Sequence, residues 1–90
     1  MGKVYATVTR VTHDSIVALG LLTNREREVL SLLADGPSNR AMARQLNIAE
    51  RTVKAHLTNL MRKLGVESRL EAALISHLHA DEIRDPGYNP

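Results

Sequence analysis

The strongest constraint on the fold of this 90-residue chain is an amphipathic pattern over residues 50–64. Apolar residues recur there at intervals of three and four positions, which matches one face of an α-helix rather than the alternation of a strand. Such a stripe is stable only when it is buried, so the segment must pack as a helix against other apolar elements. The predicted buried stripe comprises Val53, Leu57, Leu60, Met61 and Leu64.

The other face of this helix carries cations and small side chains, with no carboxylate among them. A shorter helical pattern precedes it, begins after Ser38 and breaks at Leu46-Asn47-Ile48. A helix with one buried face and one cationic face suits insertion into the major groove of DNA. The residues of this outward face are Arg51, Lys54, Ala55, Thr58 and Arg62.

The amino-acid composition favours a small helical domain with an aliphatic core. Phe and Trp are absent and only Tyr5 and Tyr88 are aromatic, which excludes recognition of single strands by base stacking. The chain has no cysteine, so we predict no disulfide and no thiolate metal site, as is usual in a reducing cytoplasm. No apolar run approaches the roughly 18 residues of a membrane span, and no signal-peptide pattern occurs. We expect a cytoplasmic protein without a membrane partner.

Positive charge is concentrated in one part of the chain. The net charge is only +2, yet residues 38–64 carry six lysines and arginines against a single carboxylate, Glu50. Residues 65–90 are acidic instead, with five carboxylates against two arginines. Concentrated cationic charge of this kind is typical of proteins that bind polyanions.

Local capping signals predict four helices joined by short loops. The first and fourth helices begin at capping boxes, the second begins at a serine cap, and turn residues end the first and third. We expect the second helix to bury Ala41, Met42 and Leu46, and the fourth to run to about His79. The capping and turn residues are Thr23 with Glu26, Asp35-Gly36-Pro37, Ser38, Gly65, and Ser68 with Glu71.

These signals divide the chain into three parts. Residues 1–19 are an N-terminal arm or linker, in which a short alternating pattern indicates either a strand or an extended segment. Residues 20–80 form the helical domain, and residues 81–90 form a turn-rich tail. The predicted fold class is therefore all-α, a four-helix helix-turn-helix domain with a poorly ordered or extended N-terminal arm.

A larger set of residues occurs at fixed offsets within the helical domain. The set comprises Leu22-Thr23, Arg25-Glu26, Glu28-Val29-Leu30, Gly36, Ser38-Asn39, Thr52-Val53-Lys54, His56, Lys63-Leu64-Gly65-Val66 and Arg69. Together they resemble the LuxR/FixJ-type (GerE-like) helix-turn-helix domain of bacterial transcription regulators. The resemblance covers about residues 20–80 without a gap. It implies binding to double-stranded DNA, commonly as a dimer, by a domain that often follows a receiver or ligand-sensing domain.

The resemblance also implies roles for individual positions, with the helix-turn-helix at about residues 39–58 and the recognition helix at residues 50–64. The implied base-facing residues are Lys54, Ala55 and Thr58. Lysine can donate to guanine, whereas the methyl groups of alanine and threonine can contact that of thymine. The implied phosphate contacts, which set register rather than sequence preference, are Ser38, Asn39, Arg51, Thr52, His56 and Asn59.

Three features depart from the usual pattern of that family. Ala41 stands where a glutamate is usual, which removes an internal polar partner. Ala49 replaces the usual serine cap of the recognition helix, at a cost of about 1 kcal/mol of capping. Ala55 and Thr58 are short where many relatives carry longer donors, so we expect the protein's own sequence preference to reside there.

The fourth helix carries more apolar surface than packing on a single core requires. Ala72 and Ile75 lie beside the main apolar face and widen it. We interpret the surplus as the contact of a homodimer, and the alternative is a fully buried helix in a monomer. The predicted dimer residues are Leu70, Ala73, Leu74 and Leu78.

Two other functional classes compete with a DNA-binding regulator. The first is promoter recognition of the kind performed by sigma-factor region 4, and RNA polymerase is a further partner that this interpretation allows. The second is a protein-interaction module that pairs with a full-length regulator. For each of four further cations, phosphate contact and ordinary solvated surface are about equally favoured: Arg40, Arg44, Arg62 and Lys63.

No pattern in the sequence indicates an enzyme, a metal site or a cofactor. Glu26 is better explained by capping and internal pairing than by catalysis. His77 and His79 are two positions apart on a helix and so point to different faces. No activated nucleophile and no glycine-rich phosphate loop occur, and we predict no catalytic residue and no cofactor.

Overall fold

The computed structural model describes residues 17–84, and all regular secondary structure in this range is helical. Residues 17–19 are helical. The helices that follow are α1 (Asn24–Leu33), α2 (Asn39–Leu46), α3 (Glu50–Leu64), α4 (Arg69–Leu78) and α5 (Ala80–Arg84). The predicted all-α fold is confirmed for this range. The arm before residue 17, with its alternating pattern, and the tail after residue 84 lie outside the described residues.

Side-chain caps start α1, α2 and α4 at the predicted positions. Thr23 Oγ1 accepts a hydrogen bond from the Glu26 amide at 3.1 Å, and the Glu26 carboxylate accepts one from the Thr23 amide at 2.9 Å. The hydroxyls of Ser38 and Ser68 each accept from the amide three residues further on, at 3.0 and 3.1 Å. These bonds satisfy donors that the first turn of a helix leaves free.

Both helices of the helix-turn-helix end in a left-handed residue. Asn47 follows α2 with φ 57° and Gly65 follows α3 with φ 71°. In each case the amide of the next residue donates to the carbonyl five positions earlier, at 3.0 Å for Ile48 and 3.1 Å for Val66. This is the hydrogen bonding of a Schellman motif, which reverses the chain within a few residues.

The core is aliphatic, with α1 at its centre. This helix packs against α3, α4 and α5, while α2 packs on α3. The predicted stripe of α3 is confirmed, since four of its members are buried and Met61 is half-buried against them. The buried apolar residues are Leu19, Leu22, Val29, Leu30, Leu33, Met42, Ala43, Val53, Leu57, Leu60, Leu64, Val66, Ala72, Ile75 and Ile83.

The predicted buried face of α2 is wrong at one position. Ala41 is exposed, whereas Ala43 and Met42 are buried and Leu46 is half-buried. Each residue of an α-helix advances by about 100°, so a face centred between Met42 and Ala43 turns Ala41 towards solvent. Because Ala41 is exposed, the change from the usual glutamate to alanine does not remove a polar side chain from the interior.

The helical structure extends further in both directions than predicted. The expected four helices are followed by α5, whose Ile83 is 2% exposed, and Leu19 joins the core from the other end. Arg27 explains both extensions, because its guanidinium donates to the carbonyls of Leu19 and Glu82, at 2.9 Å each. Residues 81–84, predicted as tail, are therefore part of the packed domain.

Candidate nucleic-acid interface

The helix-turn-helix holds α3 as a rigid helix with one face free. Its buried stripe packs on α1 and α2. The turn at Asn47 connects α3 to α2 through only three residues. The position of the free face is consequently fixed by the core. Any side chain on that face is presented from a supported helix rather than from a loop.

The three predicted base-facing residues lie side by side on this free face. Lys54, Ala55 and Thr58 are all exposed. Their spacing of one and four positions places them on adjacent rows of the helix surface. Arg51 and Arg62 are exposed as well, one towards each end of the helix. The face combines cations with short side chains, which allows a polyanion to approach the helix closely.

Thr58 presents its methyl group rather than a free hydroxyl hydrogen. Its Oγ1 donates to the Lys54 carbonyl at 3.0 Å, which is the usual back-bond of threonine within a helix. A hydroxyl has one hydrogen to donate. The side chain of Thr58 therefore offers a partner an apolar methyl group and the lone pairs of its oxygen, but no hydroxyl hydrogen.

The predicted phosphate-contact residues fall in two places. One group lies at the start of α2, and the other lies within α3. The side chains of Ser38, Arg51 and Asn59 are exposed, and those of Asn39, Thr52 and His56 are half-buried. The Asn59 amide oxygen accepts a long hydrogen bond of 3.5 Å from Arg62. The two side chains are therefore neighbours on the surface of α3.

Arg69 connects the start of α4 to the start of α2. Its guanidinium donates to the Asn39 amide oxygen and to the Pro37 carbonyl. In the sequence Arg69 is only a matching position of the motif, without a predicted role. The partners lie 30 and 32 positions away, and no local pattern links such distant residues.

Lys63 pairs inside the fold, a role that neither sequence interpretation of this residue included. Its Nζ lies 2.7 Å from Glu26 Oε1, and the two side chains are 23% and 4% exposed. Burial raises the pKa of the Glu26 carboxyl, but hydrogen bonds from Lys63 and Thr23 outweigh burial and hold that pKa below its ordinary value of 4.5. The predicted capping and internal pairing of Glu26 are confirmed, and one cation of the basic segment is neutralised inside the fold.

The start of α3 has no side-chain cap, whereas its end is closed by Gly65. Ala49 occupies the N-cap position and makes no side-chain hydrogen bond there. Its carbonyl accepts the first helical bonds, from Thr52 at 3.0 Å and Val53 at 3.1 Å. The predicted loss of capping at this position is confirmed.

The outer face of α4 is apolar and partly exposed. Leu70 is 78% and Leu78 43% exposed, while Ala73 and Leu74 are half-buried at the edge of the core. Ala72 and Ile75 point the other way and are fully buried. These exposures exclude the alternative of a fully buried helix.

Residues 17–84 contain neither a candidate metal site nor a candidate membrane-spanning helix. No group of three histidine, aspartate, glutamate or cysteine side chains in this range is placed to hold a metal ion. None of the helices described is both long and apolar enough to cross a membrane.

Comparison with known proteins identifies the family. The family model of bacterial regulatory proteins of the luxR family matches residues 20–76, more than half of the chain. The nitrate/nitrite response regulator protein NarP of Escherichia coli (strain K12) is 53% identical over 55 residues, which cover 61% of this chain and 26% of that protein. The transcriptional regulatory protein LiaR of Bacillus subtilis (strain 168) is 41% identical over 78 residues, which cover 84% of this chain and 36% of that protein.

The chain thus spans between about a quarter and about a third of the length of these relatives. The region of similarity contains α1, α2, α3 and most of α4, and so includes the complete helix-turn-helix. The chain belongs to the luxR family of bacterial regulatory proteins, with a helix-turn-helix of the kind that binds DNA in transcription regulation.

Proposed function

We propose that this chain binds double-stranded DNA sequence-specifically as part of a transcription regulator, with α3 in the major groove. The observation that carries the proposal is the free face of α3, where exposed cations and short side chains stand on a helix whose opposite stripe is buried. The major groove admits an α-helix and displays a distinct pattern for each base pair.

Base recognition is assigned to Lys54, Ala55 and Thr58. The Lys54 ammonium donates hydrogen bonds, which suits the O6 and N7 acceptors of guanine. Ala55 and Thr58 present methyl groups, since the Thr58 hydroxyl hydrogen is engaged by the helix backbone. Methyl groups on the helix suit contact with a thymine methyl. We therefore expect a half-site that contains both a guanine and a thymine.

Phosphate binding is assigned to residues on both sides of the Asn47 turn. Arg51 supplies the charge, and hydroxyl, imidazole and amide groups supply further hydrogen bonds that set the register of the protein on the duplex. The assigned residues are Ser38, Asn39, Arg51, Thr52, His56 and Asn59. Lys63 is left out because its charge is paired with Glu26.

Homodimerisation is assigned to the outer face of α4. The exposed Leu70 and Leu78 supply its apolar surface, and the half-buried Ala73 and Leu74 continue it to the edge of the core. A two-fold dimer of helix-turn-helix domains reads an inverted repeat whose half-sites lie about one helical turn apart, roughly 10 base pairs from centre to centre.

Selection of bound sites from a pool of random duplexes tests the proposed function. The full chain should enrich a short inverted repeat at each of several salt concentrations, and its affinity should fall steeply as salt rises. Recovery of the unselected pool, without enrichment over a matched selection that lacks protein, would contradict sequence-specific binding.

Sedimentation of matched leucine variants tests the dimer. Leu70→Gln removes an exposed apolar side chain from α4, whereas Leu21→Gln removes one that is 63% exposed and lies before α1. We expect Leu70→Gln to weaken self-association on the selected duplex about tenfold and Leu21→Gln to leave it unchanged. A strict monomer for the unsubstituted chain, with and without DNA, would overturn the assignment.

A second candidate function is pairing with a full-length regulator through the same face of α4. The exposure of Leu70 and Leu78 favours it equally. The two experiments separate the candidates, because this function requires self-association or regulator binding without any enriched duplex. Sigma-like promoter recognition would instead require binding to core RNA polymerase.

A further inference from the structure

We propose that Arg69 is a positioning residue for DNA binding, which holds the Asn39 amide by its oxygen and so directs the amide nitrogen to a phosphate. The inference rests on the proposed function. It adds a residue that lies on α4, outside the helix-turn-helix, and it assigns the direction of the hydrogen bond that Asn39 makes.

Arg69 bonds two groups where the chain enters α2, one in the preceding loop and one at the first residue of the helix. The Arg69 Nη1 donates to Asn39 Oδ1, and Nη2 donates to the Pro37 carbonyl. A guanidinium is planar and presents its donors in a fixed fork. The two bonds therefore set the position of the loop backbone and that of the Asn39 side chain together.

The chemistry of the partners decides which end of the amide faces Arg69. A guanidinium only donates hydrogen bonds, whereas an amide has an accepting oxygen at one end and a donating nitrogen at the other. The oxygen must face Arg69, because the reverse orientation would oppose two donors. The Nδ2 group of Asn39 consequently points away from Arg69, and within residues 17–84 it donates to no other group.

Such an amide nitrogen is suited to a phosphate oxygen. Asn39 is half-buried and stands at the first position of α2, next to the Ser38 cap. Its free donor can bond only to an acceptor, and the acceptors along the backbone of duplex DNA are phosphate and sugar oxygens. Arg69 acts through Asn39 and need not touch the DNA itself.

The substitution Asn39→Asp separates this role from a purely structural one. A carboxylate keeps the acceptor for Arg69 and strengthens the bond by adding charge. It also suits the start of a helix. The same carboxylate has no donor and repels phosphate. The fold should therefore be kept while the proposed function of the residue is lost.

Affinity for the selected duplex and thermal unfolding are measured for the full chain and its variants. We expect Asn39→Asp to unfold at the same or a higher temperature and to bind about tenfold or more weakly, the size of a charge-assisted hydrogen bond. Asn24→Asp is the matched control, since Asn24 is exposed and holds the first position of α1. Its affinity should change less than about twofold, as expected for a surface change away from the site.

A double-mutant cycle tests whether Arg69 acts through Asn39. Arg69→Lys keeps the charge and loses the fork, and we expect it to weaken binding about threefold to fivefold, the loss of one neutral hydrogen bond. In the Asn39→Ala background the same change should have a much smaller effect, because only the bond of Arg69 to the Pro37 carbonyl is left to lose.

Two results would overturn the proposal while leaving the proposed function intact. One is an Asn39→Asp variant that binds the duplex as tightly as the unsubstituted chain. The other is a cycle in which the effects of Arg69→Lys and Asn39→Ala simply multiply. If the unsubstituted chain itself binds no duplex, the proposed function fails, and the role of Arg69 in DNA binding fails with it.

Discussion

The two ends of α3 are held in different ways, and the difference separates binding from stability. At the start of the helix Ala49 provides no side-chain cap and Lys54 projects into solvent. At the end, Gly65 closes the helix in a left-handed turn and Lys63 bonds the buried Glu26 at 2.7 Å. Two lysines of one helix thus have opposite roles, which a count of charges cannot distinguish. Part of the positive charge in residues 38–64 is used inside the fold and is not available to DNA.

The largest effect is expected from Lys63→Met, which breaks the anchored end. Removing the ammonium leaves the Glu26 carboxylate buried without its ionic partner. Breaking a buried ion pair is strongly destabilising, and partial exposure of Lys63 reduces the cost, so we expect a loss of about 2–4 kcal/mol in the free energy of unfolding. Denaturant titration at neutral pH measures it.

Lys54→Met is the matched control on the free face, because it makes the same substitution on the same helix. Surface changes away from special contacts stay within about 0.5 kcal/mol of stability. Equal destabilisation by the two substitutions would show that the ends of α3 do not differ in the way described.

Lys54→Ala is expected to produce the next largest effect, on binding instead of stability. Loss of a base contact should weaken specific binding by about 1–3 kcal/mol and relax the preference at one base position. Arg51→Ala should weaken binding to all duplexes alike and reduce the salt slope by about one. Site selection and salt titration with both variants measure this difference, and a uniform loss for Lys54→Ala would contradict its assignment to base recognition.

A pH titration sharpens the comparison further through Glu26. Its folded pKa lies below the ordinary value of 4.5, so the stabilisation it gives is fully present above pH 4.5 and is lost as the pH falls through the lower folded value. In Lys63→Met the burial of Glu26 and its bonds with Thr23 remain while the bond and charge of Lys63 are gone, so the folded pKa of Glu26 should lie higher than in the unsubstituted protein. The stability that Glu26 loses on acidification should then be smaller in Lys63→Met than in the unsubstituted protein.

Unfolding free energies of both proteins between about pH 6 and about pH 3 test this difference, because the gap between the folded and the unfolded pKa sets how much stability is lost as the pH falls. The comparison cancels most of the contribution of the other carboxylates. Parallel pH profiles for the two proteins would show that Lys63 does not control the ionisation of Glu26.

The smallest effect is expected at the uncapped start of α3. Ala49→Ser supplies a hydroxyl that can accept from the first turn, which should raise the free energy of unfolding by about 1 kcal/mol. The base preference found by site selection should not change, because residue 49 precedes the free face. A variant with unaltered stability would mean that other groups already satisfy those backbone amides.

Local features of this fold were predictable because they depend on residues three to five positions apart. The capping box of Thr23 and Glu26, the serine caps and the end of α3 at Gly65 follow from the hydrogen bonding of single turns. The buried stripe of α3 follows from helical periodicity. The face of α2 was harder to predict, because eight residues with alanines at 41 and 43 fit two neighbouring orientations. Packing against α3 selected Ala43.

The candidate site divides in the same way. The exposed face with Lys54, Ala55 and Thr58 follows from the position of the buried stripe, so the sequence was sufficient to place it. The hydrogen-bond partners of the Thr58 hydroxyl and of the Asn39 amide were not predictable from the sequence. The Thr58 hydroxyl bonds its own helix, and Asn39 is held by Arg69. Helix α5 was also missed, because five residues make too short a periodic pattern to detect.

The sequence by itself determined helices α1 to α4, their caps and the family of this protein, since each rests on residues close together or at fixed offsets. Only the tertiary structure decided how the charged side chains are used. Lys63 meets Glu26 across 37 positions, Arg69 meets Asn39 across 30, and Arg27 meets the Glu82 carbonyl across 55. A charged side chain can pair only with groups that packing brings within a few ångströms of it. Packing is a property of the assembled helices, and no local pattern along the chain records it.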